Sequence, residues 1–299
     1  MTSQLTLGPV LFNWPVECWR DFYFQIADEA PVETVFLGEV ICSKRAPLFD
    51  PYLEEVVTRL ENGGKKLVYS TLAQVTSNID RRQMKRVATS QDMFIEANDA
   101  SALWHLEGRP HAIGPYMNAY NEDSLEFFAD NGARSICLPP EVPANGIAEL
   151  SKKAKQIGVA LEVQVYGRMP LALSARCYHA RAHDRTKDSC QFICDKDMDG
   201  MVLDTLEDKP FLAINGIQTL SFTCLNLVNE LSELVESGIK HFRISPQSTG
   251  TLETCKAFRA VLDHQLSATE ASEIIRENGI DVPFANGFYH QKPGFEWHL

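Results

Sequence analysis

Along this chain, short β-branched runs alternate with longer amphipathic ones, and the alternation repeats until eight pairs have been counted. The first three are LTLGPVL with PVECWRDFYFQIADEA, VETVFLGEVI with PYLEEVVTRLENGG, and KKLVYSTL with NIDRRQMKRVATS. DMFIEA with ASALWHL, HAIGPYMNAY with NEDSLEFFADNG, SICLPP with NGIAELSKKAKQIG, and GVALEVQVYG with MPLALSARCYHARAH bring the count to seven. KHFRISPQ with TLETCKAFRAVLDHQL makes the eighth. Eight such units favour an α/β fold, a closed (β/α)8 TIM-type barrel, over a doubly wound open sheet. Glycine follows several of the amphipathic runs, as in ENGG, DNG, QIG and ESG, where a left-handed helix cap is expected. At 299 residues, 44% of them hydrophobic, the chain can bury a core of that size.

One interruption breaks the alternation, between the seventh unit and the eighth. Within residues 184–238, MDGMVLDT and PFLAINGIQTLSF read as an inserted β-hairpin and CLNLVNELSELVESG as an extra helix leading back to the barrel. The expected organisation is a single (β/α)8-like domain over residues 1–299. It carries the insertion at 184–238, which includes a cysteine loop, and a C-terminal tail at 268–299. The end of that tail, NGFYHQKPGFEWHL, is aromatic enough to pack on this chain or on a partner.

The formal net charge is −12, so a nucleic-acid partner would be held against the overall field. The one notable basic run, RRQMKR at 81–86, reads as a solvated helix face. MTSQLTLGPV lacks a basic start followed by a long apolar run, and no membrane-spanning stretch follows. The expectation is therefore a cytoplasmic protein whose eight cysteines are reduced thiols rather than four disulfides.

Three of those cysteines fall within RCYHARAHDRTKDSCQFIC, residues 176–194. Barrel chemistry collects where strands end and helices begin, and Cys42 lies just past the second strand. Cys177 lies in the seventh helical segment, and Cys190 and Cys194 follow in a loop, so all four can reach one face. Four thiolates at one point suit tetrahedral zinc or an iron-sulfur cluster. Only Cys190 and Cys194 form the tight pair that zinc sites favour, which points to the wider cluster ahead of zinc, with buried structural cysteines as the remaining reading. Lys44, Arg45, Arg168, Arg176, Arg181 and Arg185 lie nearby in sequence and would balance an anionic cluster. Cys18, Cys137, Cys224 and Cys255 sit in apolar patterns and read as core packing.

His179 and His183, four apart, could share a metal but lack the glutamate of HExxH, and read as surface or supporting histidines. DKDMDG at 195–200 copies the opening of a calcium loop, but its twelfth position is Leu206, so an acidic turn is expected. GxSxG, GxGxxG and P-loop patterns are absent. Glu39 and Glu162, taken to stand near strand carboxyl ends, are the best-placed general acids or bases, with a buried salt bridge as the alternative role. No catalytic residue can be assigned further.

LEVQVYGRMPLALSARCYHARAH followed by DSCQFIC resembles the signature segment of peptidase family U32. FLGEVICSKR together with YGRMPLALSARC and C-x12-C-x3-C resembles, within that family, the branch serving ubiquinone biosynthesis, and the likeness runs from the first strand to the last helix. This resemblance implies a 4Fe-4S cluster held by Cys42, Cys177, Cys190 and Cys194. It also implies a heterodimer with a UbiU-like protein, cooperation with a UbiT-like lipid-binding protein, and oxygen-independent hydroxylation of a prenylated aromatic quinone precursor, with prephenate as oxygen donor. Two alternatives stand beside it: a metal-stabilised scaffold subunit without a redox role, and a peptidase-like hydrolase.

Overall fold

The computed structural model describes residues 3–298; Met1, Thr2 and Leu299, at the two ends of the span read above, lie outside it. Seven short strands follow one another with a helix after each of the first six. They are β1 (Gln4–Leu7), β2 (Thr34–Leu37), β3 (Lys66–Ser70), β4 (Ile95–Ala97), β5 (His111–Ile113), β6 (Ala133–Leu138) and β7 (Ala160–Leu173). The intervening helices are α1 (Val16–Glu29), α2 (Ala46–Asn62), α3 (Asn78–Ala88), α4 (Ala100–Leu106), α5 (Glu122–Asp130) and α6 (Ala144–Ile157). Two capping devices mark helix ends that the sequence signals: Ser77 and Asp80 form a capping box at α3, and Gly158 closes α6 at φ 74°.

Beyond β7 come the short helix α7 (Tyr178–Ala182), the meander β8 (Met201–Asp204), β9 (Pro210–Asn215) and β10 (Gln218–Asn226), and helix α8 (Leu231–Glu236). The eighth barrel strand, β11 (His241–Ile244), runs parallel to both β7 and β1, in register from Gln4 opposite His241 to Leu7 opposite Ile244, and so closes the barrel. The expected closed (β/α)8 barrel is the observed fold. Helices α9 (Thr251–Leu262) and α10 (Ala268–Asn278) follow. The final strand β12 (Phe284–Ala285) pairs with Cys224 and Leu225 of β10, so the tail packs on this chain, with Trp297 against Phe284.

Two segments differ from their expected structure. Residues 224–226 of CLNLVNELSELVESG, read as helix, end β10, and only Leu231–Glu236 is helical. MPLALSAR, read as helix, continues β7 to Leu173, and only Tyr178–Ala182 is helical. Met, Leu and Ala favour helices locally, but here antiparallel pairing with β10 takes up the backbone, Leu173 opposite Gln218 and Arg168 opposite Cys224. The bend lies at Gly167, φ 111°, where a Cβ would stand 2.6 Å from that of Ser245. PFLAINGIQTLSF is likewise two strands, turned at Gly216 and Ile217.

The barrel interior is built around a buried charge. Arg243 lies 4.0 Å over the Phe36 ring and pairs with Glu96 at 2.7 Å and with Glu162. Thr6 donates to Glu162, while Ser70 and Asn98 donate to Glu96 at 2.6 and 3.0 Å. Both carboxylates are thus paired with the cation, and Glu162 and Glu96 Oε2 are hydrogen-bonded, while Glu96 Oε1 has only the ionic contact. Glu162 is the third residue of β7 and pairs with His241, so it lies towards the amino end of its strand. The salt-bridge role is its observed one. Truncating the cation in Arg243→Ala leaves two buried carboxylates uncompensated and is expected to cost about 3–5 kcal/mol, measured as a lower urea midpoint than that of the unmodified protein.

Candidate metal centre

At the carboxyl-terminal face of the barrel, Cys42, Cys177, Cys190 and Cys194 line one small cavity together with Arg45, Lys187 and Gly216. All eight cysteines are free. Cys42 is held by the turn after β2: Gly38 takes φ 116°, and the Glu39 carboxylate then accepts the backbone N–H groups of Ile41 and Cys42, each at 2.8 Å. This places Glu39 as the shaper of the Cys42 loop. Cys177 caps α7, its Sγ accepting from Ala180 N at 3.4 Å, and Cys194 lies in the 3-10 turn Ile193–Lys196. The β1–α1 loop holds the chain just beyond that turn, Trp14 Nε1 donating to Met198 O at 2.8 Å.

Arg45 joins these pieces. Its guanidinium donates to Asn215 Oδ1 at 2.6 Å and Leu11 O at 3.2 Å and approaches Cys194 Sγ at 3.5 Å, while the residue is only 1% exposed. Burial works against its charge, but Glu39, Cys194 and Cys42 outweigh burial and raise its pKa. Burial pushes the Cys42 and Cys177 thiols up, and Arg45 pulls both down. The remaining five cations expected here are placed otherwise. Arg185 donates to Cys190 O at 3.0 Å, Lys44 to Lys187 O at 2.6 Å, and Arg168 turns to Ser221 O and Phe222 O. Arg176 and Arg181 are exposed. Lys187 and Gly216, absent from the sequence reading, line the cavity; the Asn215-Gly216 pair was the available signal, since such pairs start tight hairpins.

Four thiols around one buried guanidinium make a donor set for a thiolate-bound metal group. A single zinc ion at about 2.3 Å from each sulfur would bring the sulfurs to about 3.8 Å apart. Among the described residues, no three of these sulfurs lie within 4.8 Å of one another. Of the other four cysteines, Cys137, Cys224 and Cys255 are buried as expected and Cys18 is exposed on α1. The 195–200 stretch is an acidic turn in which Asp199 accepts from Ser248 N at 2.7 Å.

The sequence model described as peptidase family U32 matches residues 15–299. Over 174 residues the chain is 25% identical to "tRNA hydroxylation protein P2" of Bacillus subtilis (strain 168), covering 54% of this chain and 53% of that protein. The chain thus spans about half the length of this curated relative. Solved structures similar to it include a Coccidioides immitis protein described as a fructose-1,6-biphosphate aldolase, at 9% identity and a TM-score of 0.41, covering 91% of this chain and 88% of the other. A dihydrodipicolinate synthase matches at 9% identity and a TM-score of 0.38, covering 91% and 79%.

Two outcomes follow from this geometry. At Gly216, φ 68°, a Cβ would stand 2.5 Å from Arg45 Nη2, so Gly216→Ala is expected to destabilise by on the order of 1–3 kcal/mol in chemical denaturation. Ser43, beside Cys42, donates to Asp80, which also accepts from Thr76 N and Ser77 N at 3.0 and 2.8 Å. Burial raises the Asp80 pKa, and the hydrogen bonds from Ser43, Ser77 and Thr76 outweigh it, lowering it from 3.8 to about 2. Because the folded value is depressed, the stabilisation is full above 3.8 and disappears as pH falls through about 2. The stability gap between the unmodified protein and Asp80→Asn, measured in urea, should close over that window.

Proposed function

The chain belongs to peptidase family U32, and on that premise we propose that it is a UbiV-like subunit of an oxygen-independent hydroxylase acting on the prenylated aromatic ring in anaerobic ubiquinone biosynthesis. The observation that carries this reading is the convergence of Cys42, Cys177, Cys190 and Cys194 on one cavity beside the buried Arg45 guanidinium. A 4Fe-4S cluster is the group proposed there, with these four cysteines as its ligands, and when bound it supplies one-electron transfer. This chain's own residues do the rest of the holding. Arg45 offsets thiolate charge, Glu39 fixes the Cys42 backbone, Lys44 ties the 185–190 loop to the barrel, and Arg185 closes that loop on itself.

Hydroxylation as the reaction class is supported by the name of the Bacillus subtilis relative, whose stated substrate is tRNA. A net charge of −12 opposes a polyanionic substrate and favours the uncharged prenylated ring. The proposed partners are a UbiU-like protein, forming a heterodimer, and a UbiT-like lipid-binding protein; prephenate is the proposed oxygen donor. No helix among the described residues is long and apolar enough to cross a membrane, and the proposed compartment is the cytoplasm.

The test is anaerobic purification of the chain with a UbiU-like partner, followed by iron, sulfide and zinc quantification and a quinone assay. About four irons and four sulfides per chain are expected, with both lost in Cys177→Ala and Cys194→Ala along with anaerobic hydroxylation. One zinc without sulfide would overturn the redox role. Normal hydroxylation in a folded variant lacking the cluster would leave the chain as a scaffold.

A further inference from the structure

His179 is fully buried, yet its Nε2 has no hydrogen-bond partner. Its Nδ1 lies 3.1 Å from Ile214 O, an oxygen that only accepts, so Nδ1 carries a proton and Nε2 is the atom left to serve. That atom stands 2.9 Å from Asp197 Oδ2. The contact is close in distance but lacks the angle of a well-aligned N–H donor. An imidazole nitrogen and a carboxylate oxygen held this close without an aligned proton are placed as neighbouring ligands of one cation would be.

A third donor is at hand. His183, one turn along α7, stacks on His179 with ring centroids 5.6 Å apart, and the ligand atoms of His179, His183 and Asp197 all lie within 4.8 Å of one another. Donors about 2.1 Å from one ion lie at most about 4.2 Å apart, a closure that the exposed His183 side chain can supply by rotation. The Nδ1–H bond to a backbone carbonyl is the outer contact that orients metal-binding imidazoles. We infer that His179, His183 and Asp197 form a mononuclear site for a divalent first-row transition metal. Two imidazoles and one carboxylate suit zinc or ferrous iron and leave coordination positions open on the solvent side of His183.

The site is separate from the cysteine cavity but is carried by the same two segments. Cys177 caps the helix that bears His179, and the turn holding Cys194 runs directly into Asp197. An ion bound here would brace both segments against β9 through Ile214.

Untagged protein, purified anaerobically with the group at its cysteines in place, is titrated with cobalt(II) alone. One cobalt per chain is expected, with visible bands of nitrogen and oxygen ligation and no sulfur charge-transfer absorption. His183→Ala and Asp197→Asn should each weaken binding about 10-fold or more while iron and sulfide content stay unchanged. Cys42→Ala, which tests the cluster reading, should keep the nitrogen and oxygen cobalt bands once its remaining thiols are alkylated, so the two readings fail independently. Absence of binding, equal binding in both variants, or a sulfur-ligated spectrum would overturn the site.

Discussion

The seventh strand has to satisfy two sets of partners. From Ala160 to Tyr166 it is an ordinary barrel strand between β6 and β11, and from Gly167 onwards it turns out of the barrel and pairs antiparallel with β10. Only glycine fits the bend, because Ser245 of the strand-to-helix connection after β11 crowds the space a side chain would fill. That extension carries Cys177 over the barrel mouth, and the β9–β10 turn, paired alongside it, brings Gly216 against Arg45. Without the second half of β7 the later cysteines would not face Cys42.

Two buried guanidinium groups then organise the interior at different heights. Arg243 neutralises Glu96 and Glu162 within the barrel. Arg45 lies above, between the Leu11 loop, Asn215 and the thiol of Cys194. The first charge is fully matched by carboxylates that belong to the fold. The second is faced by the Glu39 carboxylate and by the thiols of Cys194 and Cys42.

The sequence readily yielded the elements whose stability is local or amphipathic. The apolar spacing of α1, α5 and α6, the capping box of α3 and the glycine after α6 agree with the structure because propensity and packing there act in the same direction. MPLALSAR and the supposedly C-terminal placement of Glu162 were misread for one shared reason. Strand limits depend on which neighbour supplies the hydrogen bonds, and β10 lies about fifty residues further along the chain.

The sequence by itself determined the eightfold alternation, hence the closed barrel, and the identity and spacing of the four candidate thiols, because these depend on residue type and period. The tertiary structure alone decided which cations serve them. Arg45 turns inward to Cys194 while Arg168 turns away to β10 carbonyls, and Lys187 and Gly216 enter the cavity wall. It alone also brought Asp197 onto the buried Nε2 of His179. Such choices rest on the direction of a side chain from a paired or turning backbone, and linear spacing carries no information about direction once the chain leaves a regular element.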